Sequence, residues 1–279
     1  NTGGLDAFGY SWTDSNTPGD QVVFNWVDIS GTGTDTSLSG DDSSTGAIDI
    51  GFAFDFYGNS YSYAYVSTNG LLNFGSSSSD FGNAPIPSTN SPNLLVVPYW
   101  DDLYVDSYSG GVYYQTLGVS PNQQFVVEWY QITELGDSQE MTFEVILNET
   151  GEIWIQYLAL TGETGDSATV GIENSDGTVG SEYSYNDPVL TDGLAIMWDL
   201  GPIAFWPSQS DAGYPGDVLD YWLTIQNNRN VSDLFDFSSM STYGWSLAIC
   251  DEFGTPLGDS DADTYPDTGI LAAGAAMSI

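Results

Sequence analysis

Ala47-Ile-Asp-Ile-Gly-Phe-Ala-Phe-Asp-Phe56 alternates without a break: Ile48, Ile50, Phe52, Phe54 and Phe56 fall on one side, Ala47, Asp49, Gly51, Ala53 and Asp55 on the other. An extended chain points successive side chains to opposite faces, so this stretch predicts a half-buried β-strand. Working outward, strand signals recur at 61–68, 94–100, 112–116, 125–132, 141–147, 153–158, 168–173 and 194–198. Turn clusters separate these runs, among them Tyr57-Gly-Asn59, Thr68-Asn-Gly70 and Asn148-Glu-Thr-Gly151. The 3.6-residue period of an amphipathic helix does not occur. Many short strands joined by Gly, Asn and Ser turns predict an all-β sandwich or barrel.

With 279 residues, and ~100–200 residues in an ordinary domain, the chain has room for two domains. A boundary falls at Leu200-Gly-Pro202, and further strands follow at 203–207, 218–226, 234–237 and 245–250. The reading is two β-sandwich domains in tandem, 1–200 and 201–279. The second is short beside the ~100 residues of an immunoglobulin-like sandwich. Its last stretch, Ile270-Leu-Ala-Ala-Gly-Ala-Ala-Met-Ser-Ile279, reads as a new strand that stops early. Three expectations remain open: a longer parent chain, a strand donated by a neighbouring subunit, or a self-sufficient short sandwich. The donor would be the Gly-rich segment 1–10, through Leu5, Ala7 and Phe8.

Apolar residues make up 41 % of the chain, with nine Trp, 18 Tyr and 13 Phe, which is ample material for packed cores. The charge is extreme: 39 carboxylates, 29 Asp and 10 Glu, against a single basic side chain, Arg229. Phosphate backbones and anionic membrane surfaces are bound by Lys and Arg clusters, so neither nucleic acid nor a membrane is expected as a partner. No apolar run approaches the ~18 residues of a membrane span. Asp favours turns, so the charge concentrates at loop tips, where it either solvates the fold or binds cations. Cys250 stands alone, which removes any internal disulfide; its run Trp245-Ser-Leu-Ala-Ile-Cys250 predicts a buried thiol. The opening Asn1-Thr-Gly-Gly reads as a processed mature start rather than a signal peptide.

Without His or Lys, and with one cysteine, most catalytic constellations cannot be assembled. The chain is therefore expected not to be an enzyme. A glycosidase needs only two carboxylates, and Asp101-Asp102 after Trp100 is the best pair for that; the alternatives for the same pair are turn formation and a loop calcium. The sharpest motif is Asp259-x-Asp261-x-Asp263-x-Tyr265-x-Asp267. Alternate carboxylates in a tight loop can converge on calcium, which takes ~6–8 oxygens. Asp259, Asp261 and Asp263 would offer side chains, Tyr265 its carbonyl, and Asp267 a direct or water-mediated contact. The other reading is a solvated acidic turn. Asn148-Glu-Thr150 and Asn230-Val-Ser232 are sequons that make Asn148 and Asn230 candidate glycosylation sites. Tyr57, Tyr61, Tyr63, Tyr65, Tyr104 and Tyr108 cluster in sequence and offer either a sugar-stacking face or cross-strand packing.

Gly3-Gly-Leu-Asp-Ala-Phe-Gly-Tyr10, Tyr65-Val-Ser-Thr-Asn-Gly70 and Val97-Pro-Tyr-Trp-Asp-Asp102 resemble a β-rich module of secreted bacterial and archaeal surface proteins. Their order, continuing into Gly110-Gly-Val-Tyr-Tyr-Gln115, is similar to nidogen-like extracellular domains over about 3–198. The second half resembles the immunoglobulin-like modules appended to such proteins, through Tyr214-Pro-Gly-Asp217, Trp245 and 259–269. The spacing of its acidic loop resembles the calcium loops of dockerins and thrombospondin type 3 repeats, with Thr264 in place of the EF-hand turn glycine and Ile270 in place of its bidentate Glu. What the resemblance implies is an extracellular, cell-surface structural protein: a surface-layer, sheath or filament subunit, or an adhesin stalk, stabilised by calcium. Its partners would be copies of itself or other envelope proteins. The alternative is a carbohydrate-binding or adhesive module that takes glycans on an aromatic face.

Overall fold

The structure, a computed structural model, describes residues 1–17, 22–106, 108–201, 218–227, 232–239, 246–272 and 274–279, and the backbone of 203–206. Every regular element among them is a strand. The chain divides into two compact units, Asn1–Asp199 and Leu200–Ile279.

The strands of the first unit are β1 (Thr2–Gly3), β2 (Tyr10–Asp14), β3 (Thr34–Asp35), β4 (Ile48–Phe56), β5 (Asn59–Val66), β6 (Leu72–Asn73), β7 (Leu95–Trp100), β8 (Leu103–Tyr104), β9 (Gly111–Leu117), β10 (Gln124–Glu134), β11 (Met141–Asn148), β12 (Ile153–Ala159), β13 (Thr169–Glu173), β14 (Gly180–Tyr185) and β15 (Ala195–Leu200). They form two antiparallel sheets. One runs β1-β2-β15-β12-β11-β10-β9-β3, with β8 beside β10; the other runs β14-β13-β7-β6-β5-β4. All-β architecture follows from the alternation, and the strands predicted for this unit are found within a few residues of their expected bounds.

The two sheets meet through aromatic side chains. Phe143 of β11 packs on Tyr99 of β7 at 5.7 Å between ring centres and on Trp129 of β10 at 5.4 Å. Buried polar tips find partners across the layer: Trp129 donates to the Ser67 carbonyl at 2.8 Å and Tyr157 to the Pro98 carbonyl at 2.6 Å. β4 departs from its ideal pattern at Gly51, whose φ is +90°. The register shifts there, so Ile48, Ile50, Phe54 and Phe56 are buried while Phe52 is only partly so. The bulge shifts the pairing with β5, while the even-numbered residues stay on the inward face throughout.

β10 and β11 are buried on both faces. The first face is the core. The second is covered by residues 22–30, a strap laid over β10, β11 and β12 ahead of β3, which pairs with the β9 edge. Ile29 and Val27 of the strap pack on Val126, Ile146 and Trp154. Its alternate backbone N–H groups donate to one row of side chains: Asn25 to Gln156 (2.7 Å), Val27 to Glu144 (3.2 Å), Ile29 to Glu128 (2.9 Å). Glu128, Glu144 and Gln156 face one another in register across β10, β11 and β12. The strap thus satisfies its backbone with side chains rather than with a ladder.

The first ten residues, the donor in one of the three open expectations, are held within their own unit. β1 pairs with β2, and Asp6 Oδ1 accepts the N–H groups of Phe8, Gly9 and Tyr10 while Tyr57 donates to its Oδ2 at 2.7 Å. In the second unit β16 (Ile203–Trp206), β17 (Thr224–Asn227) and β18 (Ala276–Ser278) form a three-stranded antiparallel sheet. The stretches 234–237 and 246–250 contribute isolated bridges at Asp236 and Cys250 rather than strands. Residues 218–223 are not strand either: Val218, Tyr221 and Trp222 are exposed, and of the alternating set only Ile225 is fully buried. Cys250 is half-buried rather than enclosed. Tyr214–Asp217 and Trp245, which carry part of the immunoglobulin-like resemblance, lie outside the described residues.

Candidate cation sites

Two acidic sites stand out, one in each unit. In the first unit, the sequence stretches 65–70 and 97–102 converge. Gly70 turns at φ +69° directly against Tyr99, and a Cβ there would lie 1.9 Å from the Tyr99 carbonyl oxygen. Asn69, fully buried, accepts the Leu103 N–H at 2.9 Å and donates to Asp42 (2.9 Å) and to the Ser79 carbonyl (3.0 Å). The loop carrying Asp41 and Asp42 is stitched down on both sides. Gly40 and Val105 exchange both backbone bonds, and Ser43 and Thr68 bond each other at 2.9 and 3.0 Å. Asp41 and Asp42 are left at the tip, beside the strand end that carries Asp102.

Asp41, Asp42 and Asp102 each place a carboxylate oxygen within 4.8 Å of the others. Asp102 Oδ1 is enclosed and receives no donor. Burial, then the charges of Asp41 and Asp42, holds the Asp102 carboxyl above its ordinary range. Asp101 does something else. It accepts the Asp102 N–H at 2.8 Å and the Ser167 hydroxyl, so it organises the turn and takes no part in the cluster. The adjacent pair visible in the sequence is therefore split, and the true neighbours of Asp102 lie some sixty residues earlier in the chain.

In the second unit the acidic loop does bring Asp259, Asp261 and Asp263 together, and Asp236, Asp261 and Asp267 form an overlapping group. Asp261 belongs to both. The other carboxylates also hold the loop's shape. Asp259 accepts the N–H groups of Asp263 (3.1 Å) and Thr264 (2.9 Å), and Asp263 accepts that of Tyr265 (2.9 Å). Asp267 accepts from the Ser260 N–H and hydroxyl and from the Gly269 N–H, and these donors, the Ser260 N–H first, lower its pKa. Asp236 is raised instead, by desolvation and then by the charges of Asp263, Asp261, Asp267 and Asp259. Tyr265 keeps its ring exposed. Thr264, at the position where an EF-hand has glycine, adopts φ +88°, and Ala262 adopts +65°.

The remaining sites fall elsewhere. Asn148 ends β11, half-buried, accepting from Gln124 at 2.9 Å and donating to the Glu152 carbonyl at 3.3 Å. Asn230 lies outside the described residues. The tyrosines are divided by burial: Tyr57 is enclosed, Tyr61 stacks on Phe74 at 5.2 Å, and Tyr63, Tyr104 and Tyr108 are exposed.

The family described as NIDO related matches residues 20–197, from just before the strap to the middle of β15. The chain belongs to the NIDO-related family. The match takes in most of the first unit of this NIDO-related chain, including the strap, both converging motifs and Asp41, Asp42 and Asp102. It bears out the nidogen-like resemblance and points to an extracellular or adhesion-type module. No curated protein and no solved structure matches the chain. Among the described residues no helix is long and apolar enough to cross a membrane.

Proposed function

We propose that this NIDO-related chain is a non-enzymatic structural component of a cell envelope, a surface-layer, sheath or filament subunit or an adhesin stalk, whose loops calcium stabilises. Its partners are copies of itself or other envelope proteins, and its second unit is a spacer of immunoglobulin-like kind. The observation that carries this reading is the Asp41–Asp42–Asp102 group. Three carboxylates gathered by a well-bonded loop junction, one with an enclosed oxygen that no donor reaches, repel one another unless a cation or proton intervenes. The chain has almost no cationic side chain of its own to fill that role. Oxygen-only ligands suit calcium better than a transition metal.

Thermal unfolding in millimolar calcium and in chelator tests the metal. Calcium bound only by the native state raises Tm by mass action, contributing about 2.7 kcal/mol at a hundredfold excess over Kd. Asp102→Asn is expected to remove the shift of the first unit and Asp261→Asn that of the second. Identical melts in calcium and chelator overturn calcium stabilisation. Electron microscopy of the purified chain tests the structural role: regular arrays or filaments support it, while a monomer that binds immobilised glycans replaces it with the adhesive alternative.

A further inference from the structure

The strap rests on an unusual support. Glu128 and Glu144, facing each other across β10 and β11, are both buried, as is Gln156 beyond them. Each of the three accepts one strap N–H. Gln156 is fully engaged, because its amide also donates to the Asn25 carbonyl at 2.9 Å and to Glu144 Oε1 at 2.8 Å. Glu144 is not: its Oε2 is enclosed with no partner. The cover is also incomplete at its leading end. A groove of about 340 Å³ runs under Val23, Asn25 and Val27 against Ile146, Trp154 and Met197, and Val23 and Asn25 are exposed.

From this geometry we infer that residues 22–30 are a pH-responsive latch: protonation of Glu144 and Glu128 closes the strap on the sheet, and their ionisation releases it and uncovers Val126, Ile146 and Trp154. Two buried carboxylates side by side without a counter-charge cannot both ionise cheaply, whereas in the lifted strap both are solvated. The titratable groups facing the pair add no compensating charge. Asp28 of the strap bears on both, Tyr113 of β9 faces Glu128, and Tyr130 and Asp35 stand next to Tyr113. From β12 the facing group is the neutral Gln156.

The pKa directions agree with this arrangement. Burial, opposed by the N–H groups of Ile29 and Ser30, pushes Glu128 up to about 7. Burial first, then the charges of Glu128 and Asp28, pushes Glu144 up to about 8 against the N–H of Val27 and the amide of Gln156. Both are raised above the ordinary value of 4.5 that they regain in solvent. The closed state therefore holds protons that the open state has lost, over the interval from about 4.5 to 7 for Glu128 and to about 8 for Glu144. Closure is strongest at the acid end, weakens through that interval, and levels off above it.

Amide hydrogen exchange of the whole chain reads the latch directly, since protection against the intrinsic rate reports the opening equilibrium. Between about pH 5.5 and 8.5, protection of the Val27 and Ile29 amides is expected to fall at least tenfold, because each proton held only in the closed state changes the equilibrium tenfold per pH unit. Amides of β13, away from the strap, serve as the control for the general effect of charge. Equal strap protection at both pH values in the wild-type chain, or a loss no larger than that of β13, overturns the proposal. The Glu128→Gln/Glu144→Gln variant is expected to keep its strap protected at both pH values. If that variant folds and retains the wild-type pH dependence, the carboxylates are not the latch.

Discussion

The same alternating signal was spent differently in the two units. Ile48–Phe56 buries Ile48, Ile50, Phe54 and Phe56 in the first unit, whereas the alternating stretch 218–226 fully buries only Ile225 in the second. Among the described residues of the second unit, the buried hydrophobics are Ile225, Phe237 and Leu271. The first unit encloses many large aromatic side chains, including Trp129, Trp198, Tyr99 and Tyr157. Alternation states which face a strand could bury; whether it does depends on what lies opposite. The first unit supplies a facing sheet and, on its outer side, the strap. The described strands of the second unit make one small sheet.

Large-to-small substitutions sharpen this contrast most. Trp129→Ala removes a fully buried indole, its stack on Phe143 and its bond to Ser67, and is expected to destabilise the first unit by about 3–5 kcal/mol in urea unfolding. Val218→Ser in the second unit, at a side chain 83 % exposed, is expected to stay within about 0.5 kcal/mol. If the two cost alike, the second unit has a core at Val218 that the contrast denies.

Gly70→Ala comes next. Its left-handed φ and the Tyr99 carbonyl 1.9 Å from any Cβ leave the new methyl no room without moving the turn. A loss of about 2–3 kcal/mol is expected. Because that turn positions Asn69 against Asp42, any calcium-dependent shift of the first unit should shrink as well. The smallest effect is a gain. Thr264 is β-branched at φ +88°, so Thr264→Gly is expected to stabilise the second unit by about 1 kcal/mol, read as a higher Tm. An unchanged or lower Tm means that the loop holds its shape without strain at this residue.

Much of the first unit could be read directly. Its strands announce themselves because period two, β-branched and aromatic residues and Gly/Asn turns agree over each run. The strap could not be read that way, since Val22-Val-Phe-Asn-Trp-Val-Asp-Ile29 bonds to side chains and so leaves no pairing pattern. Glu128 and Glu144 gave a faint clue: each is a charged residue inside an otherwise apolar strand, which requires either solvent or a partner. The acidic loop of the second unit was legible because its carboxylates are two residues apart. Asp236 joins it across a bridge between Asp236 and Asp267, and Asp102 meets Asp41 and Asp42 across a loop junction. Adjacency in sequence favoured Asp101 for that role, but consecutive residues at a strand end diverge, and Asp101 turned to Ser167.

The strap also bears on the order in which the molecule comes together. Its bonds to Glu128, Glu144 and Gln156 span 99, 117 and 131 residues, and their seat does not exist until β10, β11 and β12 have paired. Although it leaves the ribosome before β10, β11 and β12 do, the strap must wait uncommitted for those hairpins. Contacts closed over such long loops slow a fold's formation and arrive after its nucleus. Weakening the strap therefore hastens unfolding more than it slows folding.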